Sequence, residues 1–323
     1  MDIQYLLFLQ QFRETTQGVF NSLFLFITAF GEDTLLFAGI AAIYWSVNKQ
    51  AGLYIFFNYH FGNYVNQFLK ITACINRPWV RDSRVQPVEA AKGAATGYSF
   101  PSGHTAKATA VWGGLGRYIF SASKRIAWLL WSLVLLVGFS RNYLGVHTPQ
   151  DVMVSLILGI LLFMLGDKWF HYQQAASQRD WMSVWIGLAA GVLLILYAGM
   201  KSYPMEYVDG VLLVNPESMI HGAFKGAGGV CGFFLGWILE RKAVHFSTDT
   251  FNREEKVWRA LIGLAGLIAV LKVGPSIWGM IAGGGTSSFL NGLIPAFYIM
   301  GGFPFLYHFL STWKMLEKKS EGK

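Results

Sequence analysis

Long apolar runs separated by short polar connections dominate this chain. Stretches at about 17–46, 50–70, 104–120, 126–143, 151–167, 182–200, 217–239, 258–282 and 288–313 read as membrane-crossing helices. A bilayer core of ~30 Å needs roughly 20 apolar residues in helical form. The first run is interrupted by Gly31, Glu32 and Asp33, so it reads as one long tilted helix or as a broken one, and the expected count is about nine. Asp2 is placed to cap a short apolar helix, Ile3 to Phe12, lying in the membrane interface. The expected fold is all-α, a polytopic membrane helical bundle. Two parts are expected: a core over 1–167, including the interfacial helix, and appended transmembrane helices over 168–323.

Composition sharpens the picture. Of the 323 residues, 54% are hydrophobic and only 14% charged, whereas soluble domains carry about 25% charged residues. That excludes a disordered chain and argues against a soluble enzyme. Cys74 and Cys231 are too few for a disulfide framework and read as small hydrophobes. The first residues lack a basic n-region and a small-residue cleavage site, so no cleavable signal peptide is expected.

The net charge of +8 lies mainly in the connections, which suits control of topology and not a nucleic-acid surface. One side receives Lys49, Lys124, Arg125, Lys168, Arg179, Arg241, Lys242, Arg253, Lys256, Arg259 and the tail lysines Lys314, Lys318 and Lys319. The positive-inside rule then places the C-terminus in the cytoplasm and 71–103 outside. With nine spans the N-terminus is outside as well. The plasma (inner) membrane is the expected location. The segment from Arg77 to Phe100 holds Arg77, Arg81, Arg84 and Lys92 on the outer side. It breaks the charge rule, which points to another use for its cations.

Three clusters converge at the outer ends of spans two to five. They are Lys70 with Arg77-Pro78, then Pro101-Ser102-Gly103-His104, then Ser140-Arg141 with His147 and Asp151. Together these residue types suit phosphoryl transfer. Lys70, Arg77 and Arg141 supply cations for a phosphate dianion. Ser102 and the Gly103 amide open a helix, where an anion is favoured. His147 and Asp151 are four apart, so on a helix they share a face. Asp151 can take the Nδ1 proton and leave Nε2 free to attack phosphorus, while His104 can protonate the leaving oxygen. No carboxylate cluster accompanies them, so no metal and no other cofactor is expected.

The clusters resemble the three-part signature of the type 2 phosphatidic acid phosphatase superfamily, which includes vanadium haloperoxidases, glucose-6-phosphatases and sphingoid-phosphate phosphatases. The likeness covers about residues 50–165, with all eleven signature positions at the family's spacing. It implies that His147 is the nucleophile forming a phosphohistidine, that Asp151 orients it and that His104 is the acid. It also implies that Lys70, Arg77, Ser102, Gly103 and Arg141 form the phosphate cradle.

Other polar residues call for weighing. His60, Asn63, Gln67 and Lys70 fall on one face of span two, as a buried stripe or as support that aims Lys70. Lys107, His221 and Lys225 are candidate substrate contacts outside the signature, with interfacial anchoring as the alternative for the last two. Glycines 228, 232 and 236 form a ridge suited to close helix packing. The loop 201–215, with Glu206 and Asp209, reads as a connector, with a lid as the alternative.

The function expected is metal-independent hydrolysis of a lipid phosphomonoester or pyrophosphate. Polyprenyl pyrophosphate, phosphatidic acid, phosphatidylglycerol phosphate and sphingoid phosphate all fit. The rivals are a phosphatase of soluble sugar phosphates, a lipid-directed phosphotransferase and, further off, a non-catalytic lipid transporter or binding protein. Expected partners are a membrane lipid phosphate and the bilayer, with no nucleic acid. The sequence leaves room for a homo-oligomer.

Overall fold

The computed structural model describes residues 2–175, 179–208, 210–249 and 252–310; Lys314, Lys318, Lys319 and Asp209 lie outside them. The chain is mostly helical. The helices α1 (Asp2–Thr15), α2 (Asn21–Ala29), α3 (Asp33–Ala42) and α4 (Lys49–Ala73) lead to two single turns, α5 (Pro78–Arg81) and α6 (Glu89–Lys92). Next come α7 (Gly103–Ala108), α8 (Gly114–Tyr118), α9 (Lys124–Tyr143), α10 (Pro149–Ala175) and α11 (Arg179–Met200). A two-residue hairpin, β1 (Tyr207–Val208) with antiparallel β2 (Val211–Leu212), precedes α12 (Pro216–Leu239), α13 (Arg253–Lys272), α14 (Gly274–Ile281) and α15 (Gly284–Phe297). π-Helical turns follow α3, α7, α12 and α15.

The described residues of each of the nine expected spans are mostly helical, yet fewer spans qualify as crossings. Among the described residues five helices are long and apolar enough: Lys124–Tyr143, Pro149–Tyr172, Arg179–Met200, Pro216–Val244 and Gly284–Leu310. Two bent pairs, α2 with α3 at 47° and α13 with α14 at 42°, raise the number to seven. The first run is therefore broken, and the break is at Phe30–Glu32. The count of nine is not reached for two physical reasons. α4 carries His60, Asn63, Asn66, Gln67 and Lys70 along its length, which lowers its hydropathy. The helix from Gly103 to Tyr118 is short and passes through a π-helical turn at Thr109–Gly113.

The chain folds as two compact units that interleave in sequence. One comprises Met1–Phe37, Tyr54–Phe170 and Leu194–Ala223; the other comprises Ala38–Leu53, His171–Leu193 and Phe224–Lys323.

In the first unit α9 is the central element. α2 packs along it, and α1, α7 and α8 lie against it. Ala127, Val134 and Val137 of α9 are fully buried, while Ile126, Trp128, Leu129 and Leu135 on its other side are exposed. A helix apolar on its exposed face is at home in lipid and not in water.

Helix α1 is tied down by its own charges. Arg13 donates to the carbonyls of Tyr143 (2.8 Å) and Gln86, and Asp2 pairs with Arg81 at 2.8 Å. The cations of the basic segment from Arg77 to Lys92 are thereby accounted for. Arg81 is paired with Asp2, Arg84 with Asp82 and Lys92 with Glu89, and Arg77 turns inward.

The second unit is held by polar groups placed where helices deviate from α geometry. A π-helical turn leaves backbone carbonyls out of register. Trp45 Nε1 donates to Ile299 O at 2.8 Å and Tyr44 Oη to Met300 O at 3.1 Å, so aromatic donors on one such turn satisfy carbonyls on another. The expected glycine ridge is used for packing: a Cβ on Gly228 or Gly232 would stand 2.0 Å from Phe289 O or 2.1 Å from Leu293 O. Buried Glu240 takes Lys49 Nζ at 2.6 Å and the Phe246 amide at 3.0 Å, and buried Asp180 pairs with Arg241 and Lys242.

Candidate active site

His147 lies in the five-residue connection between α9 and α10. Gly145 makes that connection possible, because it sits at φ +74° with Pro87 Cα 3.1 Å from where a Cβ would be; a side chain there meets both backbone strain and a clash. The turn is then pinned. The amides of Val146 and His147 both donate to Arg141 O, and Asn142 Nδ2 donates to His147 O at 2.9 Å.

The ring of His147 is buried, and both nitrogens have partners. Nδ1 is 3.2 Å from Asp151 Oδ2, and Nε2 is 3.0 Å from Arg77 Nη1. A guanidinium only donates and a carboxylate only accepts. Those two neighbours therefore fix the tautomer: the proton is on Nδ1 and Nε2 keeps its lone pair. Burial, followed by the nearby Arg77 cation, holds the imidazole well below its usual pKa, against the opposing pull of Asp151.

Asp151 is set by more than His147. The same Oδ2 takes the Ser99 hydroxyl at 2.5 Å and the Thr148 amide at 2.9 Å, so three donors converge on one oxygen. Ser99, fully buried, is a residue the sequence pattern did not single out. Its signal is its place three residues before Ser102.

The cradle residues divide in two. Lys70 spends its ammonium on the carbonyls of Tyr98 (2.8 Å), Pro101 (3.0 Å) and Ser99 (3.4 Å), and so anchors the loop that carries Ser102. Arg77 donates to the carbonyls of Gly97, Thr96 and Val146 as well as to His147. Burial lowers its pKa to about 10, which leaves it charged at neutral pH. Ser102 caps α7, with its Oγ accepting from the Thr105 amide and hydroxyl. Its own amide donates to Asp151 O, which links the second cluster to the third. A Cβ on Gly103 would meet Asn66 Oδ1 at 3.7 Å, an ordinary van der Waals contact.

Arg141 differs from the other cations. Completely buried, it donates from Nη1 to Thr28 Oγ1 at 2.8 Å, while Nε and Nη2 have no hydrogen-bond partner. His104 Nε2 is likewise buried without one, and electrostatically it feels Arg141, Lys107 and His147. A buried charged donor left unsatisfied costs more than the ~1–3 kcal/mol of a neutral group, so these atoms suit an anionic guest. Thr28, on α2, was not expected at the site.

The remaining candidates lie elsewhere. Lys107 is committed to Asp33 at 2.5 Å, and Asp33 also takes the Tyr59 hydroxyl at 2.7 Å. His60 is buried among Phe37, Phe56 and Tyr59, and on α4 it is Asn66 that joins Lys70 at the Pro101 carbonyl. His221 faces Glu217 at 3.8 Å in the first turns of α12, while Lys225 belongs to the second compact unit. Glu206, beside the hairpin, accepts from Asn76 at 2.6 Å.

A polytopic helical protein, embedded in a membrane, thus buries a histidine–carboxylate pair among fixed cations. Residues 51–175 match the PAP2 superfamily model, and residues 224–315 match that of the PAP2 superfamily phosphatase transmembrane extension. The chain thus carries a PAP2 superfamily domain followed by that superfamily's transmembrane extension. It is 34% identical over 96 residues to phosphatidylglycerophosphatase B of Bacillus subtilis, a match covering 28% of this chain and 46% of that one. It is 38% identical over 73 residues to undecaprenyl-diphosphatase BcrC of the same organism, covering 21% and 36%. To the bacitracin transport permease protein BcrC of Bacillus licheniformis it is 41% identical over 63 residues, covering 20% and 29%. The chain thus spans less than half the length of each of these relatives. No solved structure matches it.

Proposed function

We propose that the protein hydrolyses a lipid phosphomonoester or pyrophosphate through a phosphohistidine at His147, without a metal ion. The observation that carries this reading is the His147 tautomer: Nδ1–H held by Asp151 and a lone pair on Nε2, with Arg77 donating to it. On arrival of substrate Arg77 transfers that hydrogen bond to a phosphate oxygen, and Nε2 attacks phosphorus. Arg141 Nε and Nη2 take the equatorial oxygens, where charge grows in the transition state. Asp151 stabilises the imidazolium, and His104 gives its proton to the leaving oxygen. Water then cleaves the N–P bond, with His104 as base.

A lipid substrate is favoured because the outer faces of α9 and α10 are apolar and exposed, and because two relatives bear the names of lipid phosphatases. The third is named as a transport permease. Transport alone gives no use to a neutral imidazole with its lone pair held by a donor, so hydrolysis takes precedence. In this reading residues 1–167 are the phosphatase core and the helices from 168 onward are appended to it. The Lys and Arg distribution favours a site on the extracytoplasmic face of the plasma membrane and a C-terminus in the cytoplasm.

The test is phosphate release by detergent-purified protein, with chelator present, across phosphatidic acid, phosphatidylglycerol phosphate, polyprenyl pyrophosphate, sphingoid phosphate and sugar phosphates. Turnover of a lipid class with chelator present is the expected result. Turnover of sugar phosphates alone replaces the lipid reading, and dependence on added metal overturns the mechanism.

A further inference from the structure

The break between α2 and α3 lies outside the segment matched to the PAP2 superfamily, yet it is pressed onto the site. Gly31 sits directly on the backbone of His104: a Cβ there would stand 2.9 Å from His104 Cβ, 2.9 Å from its carbonyl oxygen and 3.1 Å from its Cα. Trp112 Nε1 pins the same turn by donating to Phe30 O at 2.8 Å. The next residue, Glu32, is carried to His104 by this packing. Its Oε1 is 4.0 Å from His104 Nε2, with the histidine side chain 13% exposed and the glutamate 50% exposed.

His104 sits among charges of both signs. Arg141 faces it from α9, His147 from the connection after α9, Lys107 from its own helix, and Asp33 from α3. Asp33 is already bound to Lys107 and Tyr59, so its charge is largely spent. Arg141 is buried with two of its nitrogens lacking partners and disfavours a second cation beside it. Yet a general acid must carry its proton before the reaction starts. The carboxylate that faces the acidic nitrogen is that of Glu32.

We infer that Glu32 is a positioning residue for the acid: its carboxylate holds the His104 imidazole protonated and aimed for proton transfer to the leaving oxygen. This rests on the reading of His104 as the acid. In the first half-reaction the His147 Nε2–P bond forms, the P–O bond to the leaving group breaks, and the His104 Nε2 proton passes to that oxygen. In the second, water adds to phosphorus, its proton returns to His104 Nε2, and the N–P bond breaks. The cycle thus restores the acid, and Glu32 acts by charge and never exchanges the proton. Because Glu32 is half-exposed, solvent screens its effect. A displacement of about half to one pH unit is the scale expected of one partly screened neighbour.

The experiment measures His104 directly in the full-length protein. Site-resolved carbethoxylation by diethyl pyrocarbonate, read by mass spectrometry across pH, reports the neutral fraction of each histidine without requiring turnover. In E32Q the His104 midpoint should fall by about half to one pH unit while that of His147 stays in place. E32D should lie between E32Q and wild type, and it takes over the test if E32Q is not monodisperse in detergent. In phosphate release from phosphatidic acid micelles, the basic limb of kcat/KM should move down with the His104 midpoint and the acid limb should hold. A His104 midpoint unchanged in E32Q, or both limbs moving together, overturns the inference. A wild-type protein silent toward every phosphate ester overturns the functional reading, while the labelling midpoint still decides whether Glu32 governs His104.

Discussion

Around His147 both ring nitrogens are engaged and Asp151 Oδ2 takes three donors, whereas around Arg141 and His104 three buried nitrogens have no hydrogen-bond partner among the described residues. Both regions belong to one compact unit, and both are largely buried. The first is complete within the chain; the second has donors in excess of acceptors. A preorganised nucleophile loses little on reaction because its tautomer and direction are already set. A group of unmatched donors costs stability in the free protein, and a phosphate offers the acceptors that recover it. In the proposed mechanism attack falls to the complete half and anion binding to the incomplete one.

The largest effect should come from the complete half. His147→Ala removes the nucleophile, and phosphate release should fall by at least ~10⁴-fold; near-normal turnover would break the assignment. Arg141→Ala removes the donors of the incomplete half and should cost ~10²–10³ in kcat, as losing a transition-state donor does. A loss of only a fewfold would show that the phosphate sits elsewhere.

The pH profile separates the halves further. The proposed mechanism needs a neutral His147, and burial together with Arg77 pushes its pKa well below the ordinary 6.5. Activity should therefore persist to pH values below 6.5, and fall only as the imidazole gains a proton. Replacing Arg77 by Gln removes a cation that disfavours that proton, so the acid limb should move upward; a limb that stays or moves down would mean that the Arg77 charge does not hold the imidazole neutral. The smallest effect is expected at Ser99. Ser99→Ala leaves Asp151 with two of its three donors and should cost about 1 kcal/mol, a fewfold to tenfold in kcat/KM.

What the sequence made legible follows the same division. The His147–Asp151 pair is read from a spacing of four, which a helical turn would bring together, although in the fold only Asp151 is on α10 and His147 stands just ahead of it. Ser99 is not: it reaches Asp151 from 52 positions away, and nothing in a local pattern announces such a contact. Charge alone marked Lys70 and Arg77 as phosphate ligands, but charge does not say which acceptors a cation meets. In the fold those acceptors are mostly carbonyls of the 96–101 loop and Val146. Thr28 and Glu32 were hidden for a different reason, since a polar residue inside an apolar run reads as an interruption. Helix breaks at Phe30–Glu32 and the π-helical turns depend on tertiary packing, so hydropathy gave the helical segments correctly and their number as crossings less well.

The most direct test is to capture the intermediate. Protein mixed with ³²P-labelled substrate at acid-limb pH, quenched in alkali within the first turnover and digested, should carry label on His147 alone. The label should be acid-labile and base-stable, as a phosphohistidine is, and should disappear on a chase with unlabelled substrate. Label on another residue, or a burst of phosphate release with no label on His147, would contradict a histidine nucleophile.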